Sequence, residues 1–268
     1  MKDFETIRLA FDAAGVARLT LARAAIHNAL NPTMFQEIGQ ALDLIEADPA
    51  TRVVVLSGDG ENFCAGGDFR WQQSQGSQDR ASRIRSGAPL AALLARLDTF
   101  GRPIIGRING SAYGGGVGLI AICDVAVAVD SARISLSEVR LGLVPATISP
   151  YVAAKLGPSY ARRVFLNGKI MSAAEAQRYG LVHEVVAVAE LDNAVNAEID
   201  RALACAPGAV QMTKKLVQFV LAHDTADNLI YTVDRLADFW ETEEAREGLT
   251  SFFEKRAPAW RRQHEPAP

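Results

Sequence analysis

Apolar residues recur along this chain in short blocks whose spacing switches between strand-like runs and helical periodicity. Thr6 to Phe11 and Val16 to Ala22 are β-prone runs separated by Asp12-Ala13-Ala14-Gly15, which predicts an N-terminal hairpin. Asn31-Pro32 follows, a capping side chain before a proline at the first helical position. Phe35, Ile38, Leu42 and Ile45 then fall at helical spacing until Asp48-Pro49 stops the element. The middle third repeats one pattern of short buried-looking strand, glycine-rich turn and helical stretch. Val53 to Leu56 precedes Ser57-Gly58-Asp59-Gly60, and Ile104 to Ile108 precedes Asn109-Gly110 and the glycines Gly114 to Gly116. Val125 to Val129 and Ile134 to Ser137 are further strand candidates. Strands alternating with helices predict an α/β core with crossover connections.

Beyond Leu181-Val182 the strand signal almost vanishes. Segments 190–205, 208–222 and 225–254 read as helices, and Arg261 to Pro268 as a polar tail expected to fray. The organisation expected is an α/β core over 1–200 and a helical region over 201–268. Segment 70–88, rich in Gln, Ser and Arg, predicts a mobile binding loop or helix rather than core.

Composition narrows the field. A chain of 268 residues, 49% hydrophobic and 22% charged, can bury one large domain, or a main domain with an appendage, and is too apolar for disorder. With 28 Lys+Arg against 31 Asp+Glu there is no broad positive field, so no nucleic-acid partner is expected. Local cations for a phosphorylated small molecule remain compatible with that balance. Cys64, Cys123 and Cys205 are far apart and in no metal-like spacing, which predicts free thiols in a reducing compartment. The opening MKDFETIRLAFD lacks an apolar segment, so no secretory leader is expected. Ile108 to Cys123 is too short and too glycine-rich to span a bilayer. A cytoplasmic protein without membrane contact is the expectation.

Three segments could carry chemistry. In Phe63-Cys64-Ala65-Gly66-Gly67-Asp68-Phe69-Arg70, small residues let backbone N–H groups approach a ligand, though they also suit a plain surface turn. Asn109-Gly110 through Gly114-Gly115-Gly116 to Cys123-Asp124 runs from a strand through glycines into an apolar helix, whose first N–H groups could serve a phosphate or an oxyanion. Gly116-Val117-Gly118 is a weak dinucleotide fingerprint, because Ala121 stands where a third glycine belongs. Glu138 lies among apolar residues in Ser137-Glu138-Val139-Arg140-Leu141-Gly142, either paired with Arg140, facing solvent, or functional. His27, His183, His223 and His264 have no metal spacing, and no metal is expected. Neither a P-loop nor a Gly-x-Ser-x-Gly elbow occurs.

In order and spacing, these segments resemble the enoyl-CoA hydratase/isomerase (crotonase) family, over nearly the whole chain to Glu254-Lys255-Arg256. Shorter matches are Arg23 through Asn28-Ala29-Leu30-Asn31 and Ala173-Ala174-Glu175-Ala176 to Gly180-Leu181-Val182. The resemblance implies an α/β, crotonase-like spiral of ββα turns with a helical C-terminal trimerisation region. It implies a homotrimer or dimer of trimers acting on an acyl-CoA thioester, with no cofactor besides the coenzyme A of the substrate. Gly67 and Gly115 are the implied N–H pair that polarises the thioester carbonyl, each donor worth about 10²–10³ in rate, and Glu138 is the implied acid/base. The implied substrate and CoA contacts are Ala25, Ile26, Asn28, Ala65, Gly67, Asp68, Phe69, Arg70, Gly114 and Gly115, with Lys255 reaching a phosphate.

The chain departs from the family pattern in two places, at Gly118 and in the run after Leu143-Val144-Pro145. Hydratases of the family typically carry a second glutamate four residues into the helix after the glycine triplet, where this chain has Gly118. Either Glu138 handles water and proton alone, or Tyr113, Ser111 or Asp68 assists. A single glutamate is also the arrangement of the family's isomerases. The run Ala146 to Val152, with Gly118 and Asp68 to Trp71, is similar to bacterial methylglutaconyl-CoA-type hydratases of leucine and acyclic-terpene breakdown. That similarity implies hydration of a branched, carboxylated ester such as 3-methylglutaconyl-CoA, with Arg70, Arg83 and Arg85 near its carboxylate. The alternatives are a Δ3,Δ2-enoyl-CoA isomerase and a catalytically silent acyl-CoA- or RNA-binding relative.

Overall fold

The computed structural model describes residues 3–262. A hairpin of β1 (Ile7–Phe11) and β2 (Val16–Leu21) opens the fold, as its alternating residues predict. From β2 onward the chain repeats one plan, a strand, a short crossing segment and a helix. In the first turn β2 leads through Leu30 to α1 (Pro32–Ala47), capped by the Asn31 side chain, which accepts from the Met34 N–H at 2.9 Å. In the second, β3 (Val53–Gly58) leads through Cys64–Gly67 to α2 (Phe69–Gly76) and α3 (Arg80–Asp98). In the third, β4 (Ile104–Ile108) and β5 (Ala112–Tyr113) feed α4 (Gly115–Ala121). In the fourth, β6 (Val125–Val129) and β7 (Arg133–Ser135) precede the 3-10 turn Glu138–Leu141 and α5 (Ser149–Phe165). Then come β8 (Met171–Ser172), α6 (Ala173–Arg178), β9 (Glu184–Val186), α7 (Leu191–Leu203), α8 (Pro207–Ala222), α9 (Thr225–Trp240) and α10 (Glu243–Phe253).

The longer strands form a six-stranded sheet in the order β1-β2-β3-β4-β6-β9, antiparallel only between β1 and β2. The crossing segments build a smaller ladder: Leu30 pairs with Gly67, Cys64 with Ala112, β5 with β7, and β7 with β8. This is the spiral of ββα turns expected from the sequence. Both faces of the large sheet are covered, which is why β3 reads as an unbroken apolar run. Phe35, Ile38, Leu42, Leu94 and Leu97 of α1 and α3 belong to the core on one side. Leu191, Val195, Ile199 and Leu203 of α7 lie against Val53, Val55, Ile105 and Val127 on the other.

Two expectations shift. The strand foreseen to Ser137 stops at Ser135, since Ser137 (φ −87°, ψ 0°) already begins the 3-10 turn. The helix foreseen over 225–254 is two, because Thr242 leaves helical geometry and its hydroxyl accepts from the Ala245 N–H at 3.1 Å. Segment 70–88 is helical, broken where Asp79 caps α3 by accepting from the Ser82 N–H at 2.7 Å. Cys64 and Cys123 are buried free thiols and Cys205 an exposed one. No helix among the described residues is long and apolar enough to cross a membrane. Residues 263–268, with His264 and most of the tail expected to fray, lie outside the described residues.

Candidate active site

Two glycine loops meet where the small ladder joins the helices. Cys64 donates its N–H to the Ser111 carbonyl at 3.2 Å and accepts from the Tyr113 N–H at 2.9 Å. Further on, the Leu30 N–H donates to the Gly66 carbonyl (2.7 Å), and the Asp68 N–H donates to the Leu30 carbonyl (2.8 Å). These bonds flank Gly67 and turn its own N–H away from Leu30, and among the described residues that N–H has no partner. Gly66 has φ +88°, and a Cβ there would stand 2.8 Å from the Tyr113 carbonyl oxygen. The two loops can touch only because no side chain intervenes. Across the contact, Gly114 (φ +47°) donates its N–H to the Ser135 carbonyl at 3.0 Å and turns the chain into α4. The N–H of Gly115, in the first turn, has no carbonyl four residues back to bond. Gly67, Gly115 and Glu138 line one cavity of about 110 Å³.

The loop before α2 is held by Asp68. Its carboxylate accepts from the N–H groups of Arg70 (2.9 Å) and Trp71 (3.3 Å) and pairs with the Arg23 guanidinium at 2.8 Å. Burial pushes this carboxyl up, but the Arg23 hydrogen bond and the two backbone donors outweigh it and hold it below the ordinary range. The Asp68 carboxylate is thus engaged by its own scaffold. Buried Asn28 acts similarly: its side chain accepts from the Arg23 N–H and donates to the carbonyls of Asp59 and Asn62. The Ala65 N–H donates to the His27 carbonyl at 2.8 Å, tying the turn containing Ala25 and Ile26 to this loop. Ala25, Ile26, Phe69 and Arg70 are exposed around it, and Ala65 is half-buried. No hydrogen bond or ion pair among the described residues joins Lys255, beyond α10, to this group.

Glu138 opens the 3-10 turn after β7. Its Oε1 lies 2.9 Å from where a Cβ on Gly114 would stand, so that glycine makes room for the carboxyl. Its Oε2 is buried without a hydrogen-bond partner among the described residues. The pairing with Arg140 does not form; the Arg140 side chain instead lies against Gly168. Burial therefore raises the Glu138 pKa above the ordinary 4.5, opposed only by its own backbone N–H. A half-buried, unpaired carboxyl beside two free N–H donors can take up and deliver a proton while negative charge develops on a nearby oxygen.

The place beside Gly118 is filled. A Cβ on Gly118 would overlap the Ile148 Cγ2 methyl, so Ile148, only 3% exposed, stands where a side chain at 118 would go. Ser111 accepts from the Arg133 N–H through its hydroxyl, and Asp68 is engaged as above. Neither they nor Tyr113 line the cavity. Its polar side chains besides Glu138 are Trp71, Gln72 and Thr147; the rest of the wall, beyond the two glycines, is Leu30, Leu90, Val144, Pro145, Ala146 and Ile148. Sequence spacing did not mark Gln72 or Leu90, because α2, α3 and the segment before α5 converge here only through packing. The described histidines are elsewhere: His183 accepts from the Ala126 N–H at 2.9 Å through Nδ1, His223 stacks on Phe219, and His27 meets Asn62.

Known proteins with this fold are numerous. A crystal structure of an enoyl-CoA hydratase from Shewanella pealeana superposes with a TM-score of 0.92 at 34% identity, covering 96% of each chain. The (E)-benzylidenesuccinyl-CoA hydratase of Thauera aromatica is 31% identical over 92% of this chain and 95% of its own length. The short-chain-enoyl-CoA hydratase of Clostridium acetobutylicum is 29% identical over 90% of this chain and 92% of its own length. The family model for enoyl-CoA hydratase/isomerase matches residues 12–263, and the chain belongs to that family.

Proposed function

We propose that this protein is an enoyl-CoA hydratase, adding water across the α,β double bond of an acyl-CoA thioester, with Glu138 as its acid/base. The observation that supports this best is the convergence of two unpartnered N–H groups and one unpaired carboxyl on a single cavity. A thioester oxygen seated between the N–H groups of Gly67 and Gly115 draws electron density from the double bond. Ionised Glu138 takes a proton from water as its oxygen bonds to the β-carbon. Glu138 then returns that proton to the α-carbon, and the donors hold the enolate charge in between. The exposed Ala25–Ile26 turn and Phe69–Arg70 offer the surface for coenzyme A, and no further cofactor is required.

The acyl group is better uncharged than carboxylated. A 3-methylglutaconyl ester would bring a second carboxylate, yet no Lys or Arg lines the cavity. Arg83 donates to the carbonyls of Gln75 and Gly76, and Arg85 to the Ser82 hydroxyl. Leucine breakdown is therefore the weaker assignment. The second reading, a Δ3,Δ2-enoyl-CoA isomerase, is favoured by Ile148 excluding a second carboxylate beside Gly118, since one carboxyl suffices to move a proton between two carbons. The apolar surface of α8 to α10 further supports assembly with copies of the same chain.

One experiment separates these. Purified protein is incubated with 2-enoyl- and 3-enoyl-CoA esters, including 3-methylglutaconyl-CoA, while the conjugated-enoyl absorbance is followed. Hydration bleaches it; isomerisation of a 3-enoyl ester creates it; a silent binder does neither. Glu138→Gln is expected to lose turnover by at least about 10²-fold while keeping ester affinity. Near wild-type activity in that variant would sink the mechanism.

A further inference from the structure

A second, larger cleft shares α4 and the segment entering α5 with the catalytic cavity. Along α4, Gly115 lines the catalytic cavity, Gly118 meets Ile148, and Ala121 lines a cleft of about 600 Å³. At 1.5 Å per residue, Gly115 and Ala121 are about 9 Å apart along the helix. The segment entering α5 has the same order: Thr147 and Ile148 on the catalytic cavity, Pro150, Tyr151 and Ala154 on the cleft. The buried Ile148 side chain packs against α4 at Gly118, between the residues of each element that line the two spaces.

The cleft suits an apolar guest. Pro150, Tyr151, Val217 and Leu221 contribute to its wall. Its cations are already engaged: Lys214 pairs with Asp124 at 2.8 Å, and Lys155 donates to the Cys123 carbonyl at 2.8 Å. Such a wall gives an alkyl chain burial and offers a distal carboxylate no free counter-charge.

We infer that Ile148 is the specificity-determining residue for acyl-chain length, confining the substrate to short uncharged acyl groups by closing the catalytic cavity off from the cleft between α4, α5 and α8. This rests on the acyl-CoA reading of the site, but not on which reaction follows binding. Removing the partition would join the two spaces and admit a longer chain.

The test measures two series. Calorimetry gives affinities for butyryl-, hexanoyl-, octanoyl- and decanoyl-CoA, and kinetics give kcat/KM for the matching 2-enoyl esters. Wild type is expected to favour the four- and six-carbon members and reject the ten-carbon one. In Ile148→Ala the octanoyl-to-butyryl affinity ratio should rise by about tenfold or more, as removal of several carbons from a pocket wall allows. Adding Ala154→Trp, which refills the cleft, should reverse that gain. Ile148→Val, a milder change in the core, should shift the ratio in the same direction by less. Unchanged ratios in Ile148→Ala, or a wild type that binds decanoyl-CoA as well as butyryl-CoA, would overturn the inference. Failure to turn over any ester sinks the hydratase and isomerase readings alone, because the affinity series still judges the partition; failure to bind any of them sinks both.

Discussion

Among the described residues Glu138 is the one titratable side chain that lines the catalytic cavity, and its surroundings decide when it can exchange a proton. Burial raises its pKa above 4.5, and no cation among the described residues lowers it again. Both the hydratase and isomerase steps begin from the ionised form. The acid limb of kcat/KM should therefore have its midpoint above the ordinary glutamate value, with activity falling as pH drops through it. A limb at or below 4.5 would contradict the burial argument. The same shift acts on stability. A group whose pKa is higher folded than unfolded contributes most below the unfolded value, and that contribution is lost as pH rises through the folded one. Glu138→Gln, neutral throughout, should melt above wild type at neutral pH and lose that advantage in acid. The glycines beside Glu138 were legible because backbone approach excludes side chains, and Glu138 because a carboxylate among apolar residues stands out. Ile148, Leu90 and Gln72 were not, since an aliphatic or amide side chain carries no mark of the cavity it will wall.

Among the elements, α2 is the one whose placement decides whether the Gly67 N–H is offered to a ligand. Asp68 caps it, ties it to Arg23, and so couples the approach to α1 with the start of α2. Trp71 adds a second tether, its ring edge-on to Phe35 at 5.4 Å and its Nε1 donating to Ser86 of α3 at 3.2 Å. Asp68→Ala is expected to lower unfolding free energy by about 1–3 kcal/mol, from a lost cap and an unpaired guanidinium. Asp68→Asn, which can still cap, should lose less. Urea denaturation read by circular dichroism decides it: equal stability of Asp68→Ala and wild type would show the clamp to be idle. How well each element could be read follows from how it is built. Helix α1 was plain, with Asn31, Pro32 and four apolar residues in register, and β3 and β4 were plain as runs covered on both faces. The first half of α3 was not, because its buried residues start only at Leu93. Nor was α5, interrupted by Gly157 at φ +64° and by Pro158.

At the scale of the whole molecule, the helices after α7 stand apart. Helices α8 and α9 contain no buried residue, and α10 only Ser251. Yet α9 carries Leu229, Ile230, Val233, Leu236 and Trp240, each at least 59% exposed, at positions that share one helical stripe. Phe252 and Phe253 at the end of α10 are 76% and 77% exposed. Isolated apolar residues are ordinary on a surface, but a contiguous stripe of this kind on a chain of net charge −3 invites association. A second copy of the same chain is the occupant we favour, since symmetric self-assembly buries such a stripe on every subunit at once. Light scattering after size exclusion should show wild type at a multiple of the single-chain mass, and the multiple distinguishes trimer from hexamer. Leu229→Glu with Val233→Glu, both far from the catalytic cavity in sequence, should shift the protein toward a single chain while circular dichroism still reports helix. A wild type that runs as one chain, or a double variant that stays assembled, would leave the stripe without this role. If Lys255 serves a phosphate of coenzyme A held by a neighbouring subunit, the dissociated variant should also bind acyl-CoA more weakly. Lys255→Ala should then weaken affinity in the assembled protein and change nothing further in the dissociated one, a pattern that a purely local contact would not produce.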